Sequence, residues 1–110
     1  MKTSETRAAL DKRKIKEREN AILQAAIKVA ERQGGWSTMT REAVAKEAQC
    51  SDAAVSVRFG TMIEFRRTVM RHAIHTKNLS ILAQGLAAGD KHAVKADADL
   101  KRKALDTLAG

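Results

Sequence analysis

Proline is absent from the chain, and only six of its 110 residues are glycine. Proline breaks helices because it has no amide hydrogen, and glycine weakens them because it loses the most backbone entropy on ordering. Their scarcity, beside abundant alanine, lysine, arginine, glutamate and leucine, predicts an all-α protein. The length fits a single domain, alone or with a dimerisation extension.

Cysteine occurs once, which excludes an internal disulfide, and no apolar run is long enough for a signal peptide or a membrane span. We therefore expect a cytoplasmic protein with no membrane partner. Aromatic residues make up only 3% of the chain. Their scarcity argues against nucleic-acid binding by base stacking.

Catalytic patterns are missing as well. The sequence shows no Ser/His/Asp arrangement and no metal-ligand cluster, and the Gly34-Gly35 pair has no lysine motif of a phosphate-binding loop. His72 and His75 lie three residues apart, but no further ligand stands at a suitable spacing. We predict that the protein is not an enzyme and uses no cofactor or metal.

Positive charge is in excess. Lysine and arginine number 21 against 13 acidic residues, a formal net charge of +8 that is spread along the chain and favours a polyanionic partner. Residues 1–16 are especially basic, with Lys12, Arg13, Lys14 and Lys16 close together. One possibility is that this segment is a solvated terminus. The other is that it is a basic amino-terminal arm, or a helical lead-in, that follows a phosphate backbone.

Helical periodicity begins in residues 17–33. Apolar side chains recur there with the spacing i, i+3, i+4, i+7, i+8, which predicts an amphipathic helix, at Ile22, Ala25, Ala26, Val29 and Ala30. Gly34-Gly35 is expected to end this helix. Trp36 follows in a short connection, where we interpret it as a core side chain rather than a platform for bases.

Residues 40–59 predict two short helices joined by a tight turn. Val44 and Ala48 share one face of the first helix, and Val55 and Phe59 share one face of the second, so the two faces can close on each other. Thr40 and Ser51 are expected to cap the two helices. From spacing alone, this pair is either an ordinary helical hairpin or a DNA-binding helix-turn-helix.

Two positions support the helix-turn-helix interpretation. Ala45 is small enough for the two helix backbones to approach closely, and Val55 stands ten residues later. Gln49 occupies the turn position, where glycine is usual because the backbone needs a positive φ. Either glutamine takes that conformation, at a cost of roughly 1 kcal/mol, or the turn is built differently.

A longer ordered set of residues resembles the amino-terminal domain of the TetR family of transcriptional repressors, over about residues 18–75. The matching pieces are Ile22-Leu23-Gln24-Ala25-Ala26, Gly34-Gly35, Met39-Thr40-Arg41-Glu42-Ala43-Val44-Ala45, Cys50-Ser51 and Phe59-Gly60. The resemblance implies a three-helix domain containing the helix-turn-helix at residues 17–60. Ser56 and Met62 stand where the family often has a tyrosine and a lysine that contact phosphates. The few residues after the match argue against an inducer pocket within one subunit.

The second helix of the pair, residues 52–59, is the predicted recognition helix, lying in the major groove. Thr40 and Arg41 are placed to contact phosphates, Arg58 to bind guanine or phosphate, and the two alanines to touch thymine methyl groups. By the resemblance, Ser51 and Thr61 also line the DNA. The predicted DNA-binding residues are Thr40, Arg41, Ser51, Asp52, Ala53, Ala54, Ser56, Arg58 and Thr61.

Residues 61–110 are predicted to form a helical connecting and dimerisation region of two or three helices. Thr61 and Glu64 have the spacing of a capping box, and the pattern leaves open whether residues 61–75 and 76–88 form one helix or two. A last helix is expected from Gly89-Asp90 to Leu108, with one apolar side made of Val94, Leu100, Ala104, Leu105 and Leu108. These surplus apolar stripes pack either within a monomer or, as we expect, against a second copy in a homodimer.

The leading functional prediction is a dimeric regulator, most simply a repressor, that binds double-stranded DNA at a palindromic operator. The alternative is a phage or plasmid accessory protein, for packaging or maintenance, that marks a DNA site with the same motif. A general architectural or RNA-binding role, resting on charge alone, is the third. No protein co-regulator can be named from the sequence.

Overall fold

The computed structural model describes residues 7–32 and 35–109. Seven helices and no strand occur in these residues, which confirms the all-α prediction. In chain order they are α1 (Arg7–Arg32), α2 (Arg41–Ala48), α3 (Asp52–Phe59), α4 (Met62–His75), α5 (Leu79–Ala87), α6 (Lys91–Val94) and α7 (Ala98–Ala109). None of the described helices is long and apolar enough to cross a membrane.

Helix α1 begins ten residues earlier than the apolar periodicity indicates. Its first part, residues 7–16, belongs to the segment predicted as an arm or helical lead-in, so this part of the segment is helical. Residues 12–18 are exposed, whereas the predicted apolar stripe between Ile22 and Ala30 is buried. The carboxyl-terminal half of α1 therefore packs into the core, and its basic half lies against solvent. Residues 1–6 and the Gln33-Gly34 junction lie outside the described residues.

One continuous core holds all seven helices together. Every helix contributes at least one buried apolar side chain to it, including Val55 of α3 and Ala104 of α7. Trp36 is 6% exposed, which confirms its predicted place in the core. Its indole Nε1 donates to the Arg66 carbonyl of α4 at 2.9 Å, and its backbone N–H donates to the Gln84 side chain of α5. The connection before α2 is thereby tied to the following helices.

The boundary between α4 and α5 shows that residues 61–75 and 76–88 form two helices. The predicted capping box is present, since Thr61 accepts from the Glu64 amide and the Glu64 carboxylate accepts from Thr61. After α4, Lys77 takes a left-handed conformation with φ of 59°, which interrupts the helix. Asn78 then caps α5 by accepting from the Ile81 amide.

The prediction of one last helix from residue 90 to residue 108 is wrong. Asp90 caps the four-residue helix α6. Asp97 begins a new helix, α7, by accepting hydrogen bonds from the amides of Asp99 and Leu100. Asp97, which satisfies two free amides, therefore divides the segment without any glycine or proline.

The predicted apolar side of that segment is covered only in part. Ala93 and Ala104 are buried, but Val94 is 49% exposed and Leu105 is 50% exposed. The break between α6 and α7 changes the helical phase, so residues on either side of it do not share one face. The side chain of Leu108 lies outside the described residues.

Candidate nucleic-acid interface

Helices α2 and α3 each begin at a capped, exposed amino terminus, as predicted. The Thr40 hydroxyl accepts from the Ala43 amide at 3.1 Å, and the Ser51 hydroxyl accepts from the Ala54 amide at 3.1 Å. Thr40, Ser51 and Asp52 are exposed. Free amides and the helix dipole favour negative charge at such termini. Both ends can receive a phosphate oxygen.

The turn between the two helices takes the left-handed form, one of the two alternatives that the sequence leaves open. Gln49 lies in the left-handed region, with φ of 59° and ψ of 45°, and its amide closes the end of α2. The Cys50 amide donates to the Ala45 carbonyl at 2.9 Å. Ala45 is 2% exposed, so its small side chain lies between the packed helices. These contacts hold α3 at a fixed angle to α2.

The outer face of α3 is centred on a residue that the sequence analysis missed. Val55 is fully buried, and Ala53 and Val57 lie on nearly the opposite side of the helix. Val57 is 85% exposed. The sequence contains one signal for Val57, which is its spacing from Val55. Val55 is predicted to point inward, and a residue two positions later lies on nearly the opposite side of the helix.

The remaining predicted residues of α3 lie at the edges of this face. Ala54, Ser56 and Arg58 are half-buried. Arg58 extends along the side of α3 that faces α1, where it borders a groove of about 320 Å³ together with Arg18 and Cys50. The structure therefore places Arg58 between α3 and α1 rather than at the centre of the exposed face.

Arg41 joins the amino terminus of α2 to that of α4. Its Nη2 donates to the Gly60 carbonyl at 3.5 Å, and its Nε is buried with no hydrogen-bond partner among the described residues. Gly60, with φ of 78°, forms the turn into α4, and Thr61 is exposed at the start of that helix. Thr40 and Thr61, separated by 21 positions in the sequence, thus cap two helices whose starts are linked by the Arg41 side chain.

A second concave surface lies beside the end of α3. We call it the arginine groove: a cleft of about 490 Å³ between α1, the end of α3 and α4, whose cationic lining is Lys16, Arg58, Arg67 and Arg71. Glu19, Glu64 and Thr68 also line it. The sequence analysis did not single out Arg67 and Arg71, although their spacing of four on α4 places them on one face.

Elsewhere, ion pairs and histidines form no comparable site. Arg32 pairs with Glu47 between α1 and α2, and the hydrogen bond and charge of Arg32 lower the pKa of that carboxyl. Burial and the nearby His75 lower the pKa of His72. Within residues 7–32 and 35–109, no group of three His, Cys, Asp or Glu side chains is arranged to hold a metal ion.

No protein-family model matches the chain, and neither a curated protein nor a solved structure matches it.

Proposed function

We propose that the protein is a sequence-specific double-stranded-DNA-binding regulator that inserts α3 into the major groove. The observation that carries this proposal is the exposed outer face of α3, held by two capped helices and a left-handed turn. An α-helix fits the major groove of B-DNA, and its outward side chains then meet base edges. The net charge of +8 supplies the attraction to phosphate.

The flanking contacts come from helix amino termini. The Arg41–Gly60 hydrogen bond links the starts of α2 and α4, and both carry exposed threonine caps. Backbone amides at these ends are suited to bind a phosphate on one strand, which sets the register of the protein on the duplex. The resemblance to the TetR family likewise implies that Thr40, Arg41, Ser51 and Thr61 line the DNA.

Base readout on this helix is mainly apolar. Ala53 and Val57 present methyl groups, which match the C5-methyl group of thymine, while Asp52 offers an acceptor for a cytosine amino group. Arg58 lies at the edge of the face, where a side chain is better placed to contact a phosphate than a base. We therefore expect an operator in which thymines lie opposite the centre of α3.

The proposed active species is a dimer acting as a repressor on a palindromic site. Val94 and Leu105 expose apolar surface on the carboxyl-terminal helices, and a second copy of the chain would cover it. Two-fold pairing would present two recognition helices to two half-sites. A bound dimer would exclude polymerase from the operator and would need no small-molecule cofactor.

Selection of bound duplexes from a random DNA library at physiological salt tests the proposal. The variant is Val57→Ala, and Ser80→Ala, at an exposed position of α5, is the control. Losing two methyl groups from a buried contact costs about 1.5 kcal/mol, at about 0.8 kcal/mol per group. Val57→Ala should weaken operator binding by roughly tenfold and relax the thymine preference, whereas Ser80→Ala should keep the wild-type affinity and consensus.

Two other results would decide against this function. Enrichment of no sequence by the wild-type protein, with tight salt-sensitive binding, would indicate a charge-driven architectural or packaging role. An unchanged consensus and affinity for Val57→Ala would show that α3 does not read the DNA through its outer face.

A further inference from the structure

The arginine groove concentrates positive charge that the protein itself does not neutralise. Among the described residues, no carboxylate pairs with Lys16, Arg58 or Arg67. Arg58 is also half-buried, which removes part of its hydration. Cations brought together in a concave surface raise each other's energy unless an anion joins them.

The two carboxylates of the groove are too few to neutralise its four cations. Glu64 is already engaged in the capping box, where its Oε1 accepts from the Thr61 hydroxyl at 3.1 Å and from the Thr61 amide at 3.5 Å. A hydrogen-bonded carboxylate keeps its charge, so the lining holds four cations against two carboxylates, a formal net charge of +2. The groove therefore retains a net positive charge.

One guanidinium is held in place by its neighbours. The Arg71 Nη2 donates to the Thr68 hydroxyl at 3.2 Å, and that hydroxyl donates to the Glu64 carbonyl at 3.0 Å. An orienting bond of this kind reduces the side-chain entropy that binding would remove. Arg71 keeps further N–H donors for a ligand because a guanidinium carries five.

We propose that the arginine groove binds phosphate groups. A guanidinium group can donate two parallel hydrogen bonds to two phosphate oxygens. Several guanidinium groups around one cleft therefore suit a dianionic phosphate ligand better than a ligand with a single carboxylate. The phosphate has two sources. It is either a backbone phosphate of the duplex gripped by α3, which rests on the proposed DNA-binding function, or the phosphate of a free phosphorylated small molecule.

The test compares two double variants that each remove two positive charges from exposed residues. Arg67→Gln with Arg71→Gln alters the groove, and Lys91→Gln with Lys95→Gln on and after α6 is the matched control. All four side chains are exposed, so both variants should fold like the wild type. Circular dichroism and the melting temperature verify this before binding is measured.

The first arm titrates inorganic pyrophosphate into each protein and follows the arginine Nε–H resonances by NMR. Saturable shifts in the wild type, a dissociation constant raised about tenfold or more in the groove variant, and no change in the control would support the site. The second arm measures the salt dependence of binding to a duplex. The quantity compared is the slope of the logarithm of the binding constant against the logarithm of the salt concentration. If the groove holds backbone phosphates, the magnitude of this slope should fall by about 0.9 for each phosphate that the groove variant no longer neutralises, beyond any fall in the control.

The outcomes separate the two proposals. Saturable pyrophosphate binding by a protein that binds no duplex would support the groove, point to a free phosphorylated ligand and refute the DNA-binding function. A groove variant that matches the control in both arms, with duplex binding intact in the wild type, would overturn the groove and leave the DNA-binding function standing.

Discussion

The helix α5 passes α4 and α6 at Gly85, where the structure leaves no space for a side chain. A Cβ at this position would lie 2.3 Å from the Met70 Cε and 3.0 Å from the Ala93 Cβ. Met70 and Ala93 are both fully buried, so neither can move into solvent. Gly85→Ala should gain about 1 kcal/mol of helix propensity and lose about 1 to 3 kcal/mol to overpacking. We therefore expect a net loss of about 1 kcal/mol.

Thermal or urea unfolding measures this difference, and a loss of about 1 kcal/mol should lower the melting temperature by about 4 °C. A double-mutant cycle with Met70→Ala identifies the cause. Met70→Ala removes the Cγ, Sδ and Cε atoms. This change should cost clearly less stability in the Gly85→Ala background than in the wild type, because the new methyl group takes up part of the vacated space. A variant stabilised by about 1 kcal/mol, or additive effects in the cycle, would refute the assigned contact between α4 and α5.

Two further changes probe the core and its dependence on pH. Val55→Asp places a carboxylate at a fully buried position between α2 and α3, so the cooperative melting of the helices should disappear; an unchanged melting temperature would show that Val55 is not in the core. For His72, burial and the nearby His75 hold the pKa below its ordinary value near 6.5. The unfolded chain thus binds the proton first, and stability present above pH 6.5 should decline as the pH falls through that value. His72→Gln should flatten this decline in unfolding measurements made across the range, and an identical decline in the variant would place its origin elsewhere.

Features with a local cause were predictable from the sequence. The caps at Thr40, Ser51 and Thr61 follow from hydroxyls placed three residues before amides that need an acceptor. At Gln49, the spacing of the two helices predicts the position of the turn, and the structure shows which of the two possible conformations it takes. In each case the residues that cause the structure are within five positions of one another, so a pattern in the chain is enough.

The failures have more than one origin. The break between α6 and α7 is local: it depends on Asp97 competing with a continuous helix, and the apolar residues on either side are compatible with both outcomes. The central place of Val57 on α3 follows from the predicted inward position of Val55, since residues two apart on a helix point to nearly opposite sides, but an apolar side chain is atypical of an exposed face. The arginine groove joins residues 16, 58 and 71 from three helices. Such juxtapositions depend on packing between distant segments, which a single sequence does not display.

The continuous core bears on how the proposed dimer would read DNA. Trp36 contacts α4 and α5 at once, so the helix-turn-helix is packed against the same helices that lead to the exposed Val94 and Leu105. If two copies pair through those exposed residues, the pairing also sets the distance between the two α3 helices. Recognition helices at a set distance read half-sites separated by whole turns of the duplex, about 10 base pairs or a multiple. A consensus from the selection whose half-site spacing varies freely would therefore contradict either the pairing surface or the rigidity of the link through Trp36.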